Sequence, residues 1–213
     1  MPTPPPQPRR SQEQRSAATR TRLLDATVEC LTKYGYAGTT TPRIAEVAGL
    51  TRGAQVHHFG SKNELMTATL HHMTANTVAD IVAGFGRDYS KADDSIGAIL
   101  ELIWDVHAAP GFVPVVELWI AGRTDPELAR ELRKYAPIAA SAVTAAVLEP
   151  LPRDLNEPML DFVYTAMDTL RGILIPSFVD SDQSQARRRW DRAAAGLRRM
   201  ADPALTEWLA TAS

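Results

Sequence analysis

Residues 40–59 read TTPRIAEVAGLTRGAQVHHF, and this stretch decides the fold of the amino-terminal part of the chain. Apolar residues at helical spacing predict a short helix over 43–48, and Gly49 ends it. Thr51 then offers a side-chain oxygen to cap a second helix over 52–58. Two short helices joined by such a turn are typical of a helix-turn-helix, whose second helix lies in the major groove of DNA.

Longer helices flank this stretch on both sides. The proline-rich start of the chain predicts a disordered arm over residues 1–16, because proline neither propagates a helix nor pairs in a sheet. Apolar residues at helical spacing predict a helix from Ala17 to Gly35. Ser61 and Glu64 form a capping box, which predicts a fourth helix extending past Ile81.

The rest of the chain shows the 3.6-residue period in every long segment, and no segment alternates as a strand does. The sequence therefore predicts an all-α protein. The remaining helices are expected at 93–108, 113–123, 126–148, 155–178, 183–201 and 204–210.

The composition is that of an ordinary globular protein, with 45% hydrophobic and 23% charged residues among 213. A single cysteine, Cys30, excludes an internal disulfide, and on an apolar helix face it is expected to be buried and inert. No apolar run approaches the roughly 18 residues that span a bilayer, and no secretory signal is recognisable. The sequence predicts a cytoplasmic protein without a membrane partner.

Charge divides unevenly along the chain. Residues 1–62 contain nine basic and four acidic residues, a net charge of +5, and the remaining 14 basic and 21 acidic residues give −7. A basic front part on an acidic body indicates a module that binds a polyanion, joined to a part with another task.

Motifs of other chemistries are missing from the sequence. It contains no glycine-rich phosphate loop, no nucleophile elbow and no dinucleotide fingerprint. The pairs His57-His58 and His71-His72 do not favour a metal site, because consecutive helical residues point about 100° apart. We expect no enzyme activity, no cofactor and no bound metal.

Residues 19–70 carry a dense, ordered set of motifs: Tyr34-Gly35-Tyr36, Thr39-Thr40-Thr41, Ile44-Ala45, Ala48-Gly49-Leu50, Thr51-Arg52-Gly53, His57-His58-Phe59 and Ser61-Lys62-Asn63-Glu64-Leu65. This region resembles the amino-terminal domain of the TetR family of transcriptional regulators. Two positions depart from the family pattern: Val56 replaces the usual tyrosine, and Gln55 stands where leucine is frequent.

The resemblance implies a three-helix DNA-binding domain with a helix-turn-helix, over 17–62, followed by a larger helical ligand-binding and dimerisation domain, over 63–213. It also implies a homodimer formed through about 155–178 and 183–201. The first of these two helices carries apolar residues on adjoining stripes, which exceeds the needs of one packing face. A purely monomeric core is the alternative.

The second helix of the motif supplies the expected base contacts. Arginine suits guanine, glutamine suits adenine, and alanine suits the thymine methyl group. We therefore predict base contacts from Arg52, Ala54 and Gln55. Hydroxyl and basic groups near helix starts are expected to contact the DNA backbone. These residues are Thr40, Thr41, Arg43, Thr51, His57 and Lys62.

The arginines of the arm, Arg9, Arg10 and Arg15, either enter a minor groove or belong to a solvated tail. The basic run Arg187-Arg188-Arg189 is interpreted as the solvated face of a helix rather than a second nucleic-acid site.

A segment rich in aromatic residues lies between the DNA-binding domain and the last helices. The resemblance implies an effector pocket here, and core filling is the alternative for each side chain. The predicted pocket residues are Met73, Trp104, His107, Phe112, Val116 and Trp119, with Asp105 and Glu117 as further polar groups. The fourth helix is expected to transmit ligand binding to the DNA-binding domain.

The sequence thus predicts a DNA-binding transcriptional regulator, in particular a repressor released from a pseudo-palindromic operator by an apolar or aromatic small molecule. A helical enzyme or a scaffold without sequence-specific DNA binding is the alternative.

Overall fold

The computed structural model describes residues 12–85, 94–148, 153–180, 182 and 184–211. These residues form ten α-helices and one 3-10 turn, Arg153–Leu155, and they contain no strand. The all-α prediction is confirmed. The helices are α1 Gln12–Gly38, α2 Thr41–Val47, α3 Arg52–His58, α4 Lys62–Phe85, α5 Ser95–Ala108, α6 Phe112–Gly122, α7 Pro126–Leu148, α8 Asn156–Ser177, α9 Ser184–Met200 and α10 Pro203–Thr211.

Helix α1 is longer than predicted at both ends. It begins at Gln12, so residues 12–16 are helical rather than part of a disordered arm. These residues contain no proline, and Glu13 in the first turn favours the positive end of the helix dipole. Gly35 interrupts the helix with φ 64°, as its left-handed preference predicted, and one further turn follows it. Arg9 and Arg10 lie outside the described residues.

The caps around the helix-turn-helix match the sequence pattern. The Thr40 hydroxyl accepts from the Arg43 amide at the start of α2, and the Thr51 hydroxyl accepts from the Ala54 amide in α3. At the start of α4 the Ser61 hydroxyl accepts from the Glu64 amide at 3.0 Å. The Glu64 carboxylate accepts a hydrogen bond from the amide of Gly60, one residue before the expected Ser61.

The amino-terminal core is built by α1 to α4 together with residues of α6 and α7. Cys30 lies in it, fully buried, as expected. Leu118 of α6 and Leu128 of α7 are also fully buried in this core, so it continues past residue 62. Its members are Leu23, Leu24, Ala26, Cys30, Leu31, Ile44, Ala48, Phe59, Leu65, Met66, Leu70, Met73, Leu118, Leu128 and Leu132.

The carboxy-terminal core joins α5, α6, α8, α9 and α10 around Trp190, which is completely buried. Phe162 and Ala166 of α8 are buried in it, and Ile173 packs against it. These three residues therefore serve the core of one chain, and the wide apolar surface of α8 is not evidence for a dimer. Long helices with two apolar stripes are needed here because α8 packs against both α5 and α9.

Among the described helices, none is long and apolar enough by itself to cross a bilayer. The helices α5 and α6 reach that length and hydropathy only as a pair, which is bent by 66°.

Candidate nucleic-acid interface

The turn between α2 and α3 is held from both sides. Gly49 adopts φ 62°, and the Leu50 amide donates to the Ala45 carbonyl at 2.9 Å. The Arg22 guanidinium of α1 donates to the Ala48 carbonyl at 2.5 Å, at the negative end of α2. No local sequence pattern connects Arg22 to a residue 26 positions later, so this contact is not predictable from the sequence. These contacts fix the direction in which α3 leaves the turn.

One face of α3 is open to solvent. Arg52, Gly53, Val56 and His57 are exposed on it, and the Val56 side chain is 61% exposed. Ala54 is half-buried, and its amide is bonded to the Thr51 hydroxyl at 3.3 Å. The outward face of the second helix therefore carries two polar side chains around an apolar one.

Gln55 lies on the opposite face, which corrects the prediction that it contacts a base. Its side chain is 2% exposed, and the buried Oε1 atom has no hydrogen-bond partner. Gln55 lies one helical turn before Phe59, which is itself 3% exposed in the core. That spacing, and the leucine frequent at this position in the family, were the signals that pointed inward.

The side chains predicted to contact the DNA backbone form two sets. One set faces solvent, and the other is hydrogen-bonded within the protein. Thr40, Thr51 and His57 are exposed, and Thr41 is half-buried in the first turn of α2. The hydroxyls of Thr40 and Thr51 accept from helix amides, which leaves each of them able to donate a hydrogen bond outward.

Arg43 and Lys62 are bonded inside the protein. The Arg43 guanidinium donates to the Gly38 carbonyl and lies over the Tyr34 ring at 4.3 Å. The Lys62 ammonium donates to the Tyr36 carbonyl at 3.1 Å and lies 4.0 Å from the centre of the Tyr36 ring. Burial lowers the pKa of Lys62. A phosphate contact from Lys62 would require its ammonium to leave that carbonyl.

Polar contacts connect the end of α1 to α6 and to Asp125, the residue before α7. The Tyr36 amide donates to Glu117 Oε2 at 3.0 Å, and a Cβ at Gly35 would lie 2.9 Å from the same oxygen. The Tyr36 hydroxyl donates to Asp125 Oδ2 at 3.0 Å. Glu117 is therefore engaged in this connection rather than in an effector pocket. We call the contacts among Gly35, Tyr36, Glu117 and Asp125 the α1–α6 joint.

Two pKa shifts accompany the joint. Burial, followed by the hydrogen bond to Asp125, raises the pKa of Tyr36 to about 12. The Leu128 amide, followed by the Tyr36 hydroxyl, lowers the pKa of Asp125. Both shifts favour a neutral phenol that donates to a charged carboxylate.

The six predicted effector residues are divided by the structure. Met73 is buried in the amino-terminal core, whereas Phe112 and Val116 are buried in the carboxy-terminal core with Trp104 packed against them. Trp119 is 42% exposed, 5.6 Å beneath the Arg171 guanidinium. Asp105 is exposed, so it does not line an internal site.

A surface cleft of about 650 Å³ lies elsewhere, between α1, α4 and α7. Charged residues such as Arg20, Glu64 and Arg130 line it, and none of the six effector residues does.

His107 is the buried polar group of the aromatic segment. It is 6% exposed, its Nδ1 lies 2.9 Å from the Ile103 carbonyl, and its ring lies 5.2 Å from that of Phe112. Burial, followed by the charge of Arg171, lowers the pKa of His107 to about 4. The imidazole is therefore neutral at pH 7, with Nδ1 donating to the carbonyl.

No group of three or more histidine, cysteine or acidic side chains suited to a metal ion occurs among the residues that the structure describes.

Comparison with known proteins identifies the helix-turn-helix. Residues 23–69 match the family described as bacterial regulatory proteins, tetR family. The HTH-type transcriptional regulator CymR of Pseudomonas putida is 26% identical over 185 residues, which cover 84% of this chain and 89% of CymR. The helix-turn-helix part of the chain is thus of the TetR-family type. The proteins that it matches are DNA-binding transcriptional regulators and not enzymes.

Solved structures of other proteins share the fold over most of the chain. A transcriptional regulator from Rhodococcus sp. Rha1 superposes with a TM-score of 0.61 at 18% identity, covering 85% of this chain and 95% of that one. The multidrug binding protein EbrR, complexed with imidazole, gives a TM-score of 0.57 at 21% identity and covers 89% and 96%.

Proposed function

We propose that this TetR-family regulator is a repressor that binds a pseudo-palindromic operator as a homodimer and is released by a small molecule. The observation that carries the proposal is the exposed face of α3. This capped helix presents arginine and histidine to solvent and is anchored in the protein by the buried side chains of Gln55 and Phe59. Such a helix is suited to the major groove. A two-fold dimer then requires two half-sites related by the same symmetry.

The two proposed domains meet near residue 62, as predicted from the sequence. Helices α1 to α3 bind DNA, and residues 63–213 bind the effector and the second subunit. The DNA-binding domain starts at Gln12, where α1 begins, and not at residue 17 as predicted. The two parts share the amino-terminal core, and the α1–α6 joint connects them directly. We therefore propose that the effect of ligand binding reaches α1 through α6 as well as through α4.

The proposed effector is an apolar or aromatic compound with one group that forms a hydrogen bond. The neutral His107 beside Phe112 supports this choice, because such a site favours an uncharged body with a polar end. Trp104 and Val116 stay in the proposed set, Met73 leaves it, and Trp119 lies at its solvent edge. The related fold of EbrR has been solved with ethidium, an aromatic ligand.

The proposed dimer surface is the outward face of α8 and α9. Exposed residues at spacings of three or four form an acidic-to-apolar row on α8: Glu157, Asp161, Tyr164, Asp168, Gly172 and Ile175. A largely basic row on α9 consists of Gln185, Arg188, Arg192, Ala195 and Arg199. A two-fold axis brings the acidic row of one subunit against the basic row of the other, and each contact then occurs twice.

Charge reversal tests this dimer. Asp161→Lys with Asp168→Lys, or Arg192→Glu with Arg199→Glu, places like charges together, and we expect dimerisation at least about tenfold weaker by sedimentation. Mixing the two variants restores opposite charges at both contacts, so a heterodimer is expected. Arg189→Glu, on the same helix but off the row, is the matched control. A mixture that stays monomeric would contradict this surface.

DNA binding is tested with genomic fragments around the protein's own gene. We expect a salt-sensitive, sequence-selective complex. Arg52→Ala should weaken it by roughly 1–3 kcal/mol for each lost bidentate base contact, whereas Arg133→Ala, an exposed arginine of α7, should not. Repression is tested by transcription from the bound promoter with and without compounds found by thermal shift. Absence of a selective complex at every salt concentration would refute the regulator's proposed operator.

A further inference from the structure

Val56 is the exposed apolar side chain of α3. Its 61% exposure contrasts with the burial of Gln55 beside it, so it adds nothing to the core. Single exposed apolar residues are common on protein surfaces and need no explanation by themselves. Val56 needs an explanation because it lies on the face that we propose to enter the major groove.

The surface around Val56 is shaped for close approach. Gly53 lies one turn before it, and a Cβ at Gly53 would meet only the Thr51 hydroxyl, at 3.8 Å. No side chain therefore rises beside Val56 on that side. Glycine weakens a helix relative to alanine, and nothing in the local packing requires it here, since its φ is not positive. The open surface lets a short side chain reach a base edge.

Arg52 and His57 border this apolar surface with hydrogen-bond donors. In the major groove, the apolar group that a base pair presents is the 5-methyl of thymine, which lies beside the O4 acceptor of the same base, and a neighbouring guanine adds the acceptors O6 and N7. An apolar side chain between donors is complementary to a methyl group between acceptors.

We propose that Val56 reads the 5-methyl group of a pyrimidine in each half-site, next to the base that Arg52 contacts. The inference rests on the proposed DNA-binding function and names the feature that α3 recognises. Val56 takes the role that the sequence had assigned to Ala54, which is half-buried, and part of the specificity that it had assigned to Gln55. The group is a thymine, or a 5-methylcytosine in its place.

The test uses duplexes that the full-length protein selects from a random pool. Each thymine is replaced by deoxyuridine, which pairs identically and lacks the methyl group. Loss of one methyl contact, at about 0.8 kcal/mol, corresponds to about fourfold weaker binding, and replacement in both half-sites to about sixteenfold. We expect one such thymine in each half-site.

The Val56→Ser variant removes both methyl groups of the side chain and should bind the thymine and deoxyuridine duplexes equally. Val179→Ser, the same change at a 90% exposed valine near the end of α8, should keep the wild-type preference. With cytosine at the sensitive position, adding a 5-methyl group should strengthen wild-type binding by about fourfold per half-site and leave Val56→Ser unchanged, which separates the methyl group from the base. Uracil sensitivity that persists in Val56→Ser, or that is missing from the wild type, would overturn the inference. Failure of the wild type to select any sequence would refute the proposed function instead.

Discussion

The helix-turn-helix packs its side chains against neighbours close in the sequence, whereas the aromatic segment of α5 and α6 packs against helices much further along the chain. In the first region the spacing of residues places Arg52 and His57 outward, whereas Gln55 is buried and Lys62 is bonded within the protein. In the second, Phe112 and Leu118 of the same helix lie in different cores, and Trp119 lies at the surface. Proximity in sequence is thus informative about side chains only where the packing partners are local.

Two of the four tryptophans in the effector part, Trp190 and Trp119, give the largest expected difference. Trp190 is fully buried, so Trp190→Ala should lower the free energy of unfolding by about 3–5 kcal/mol through the cavity it leaves. Trp119 is 42% exposed, and Trp119→Ala should cost less than about 1 kcal/mol. Denaturant unfolding of both variants measures the difference. Equal losses would place Trp119 in the core after all.

His107 makes the same region sensitive to acid. Its pKa is about 4 in the folded chain and about 6.5 when unfolded, so the unfolded state binds the proton first as the pH falls. This contribution to stability is complete above pH 6.5 and is lost between pH 6.5 and 4, by about 3 kcal/mol. His107→Gln should abolish that slope in unfolding measured against pH. If the His107→Gln variant keeps the wild-type dependence of stability on pH, His107 is solvated in the folded protein.

The α1–α6 joint connects the two regions, and Glu117→Ala tests it. This change leaves the Tyr36 amide without its charged acceptor, which should cost about 1.5–3 kcal/mol of unfolding free energy. Glu207→Ala, at an exposed glutamate of α10, is the control and should change stability by less than about 0.5 kcal/mol. If the joint transmits ligand binding, Glu117→Ala should also reduce the effect of an effector on operator binding. A full effector response would exclude α6 from the route.

Gln55 gives the smallest expected effect, of opposite sign. Its buried Oε1 has no partner, so Gln55→Leu should raise the free energy of unfolding by about 1 kcal/mol. Base preference in a selection experiment should remain that of the wild type. A changed preference would return Gln55 to the DNA-contacting face.

Local sequence signals determined a large part of this protein. Caps at Thr40, Thr51 and Ser61, and breaks at Gly35 and Gly49, follow from the conformational preferences of single residues, so most helix bounds agree with the structure within two residues. The family motifs between residues 19 and 70 depend on the same short-range pattern, which is why the TetR family was recognisable from the sequence.

Only the tertiary structure decided which face of each helix is covered. Arg22 reaches the end of α2, Lys62 is held by Tyr36, and Glu117 reaches across to α1, and no local pattern encodes these partners. The wide apolar surface of α8 is used within one chain because α5 and α9 both pack on it. The hydrophobic effect is not directional. An apolar stripe on a helix therefore predicts that this face is buried but not which helix covers it. The covering helix is selected by the packing of the whole chain.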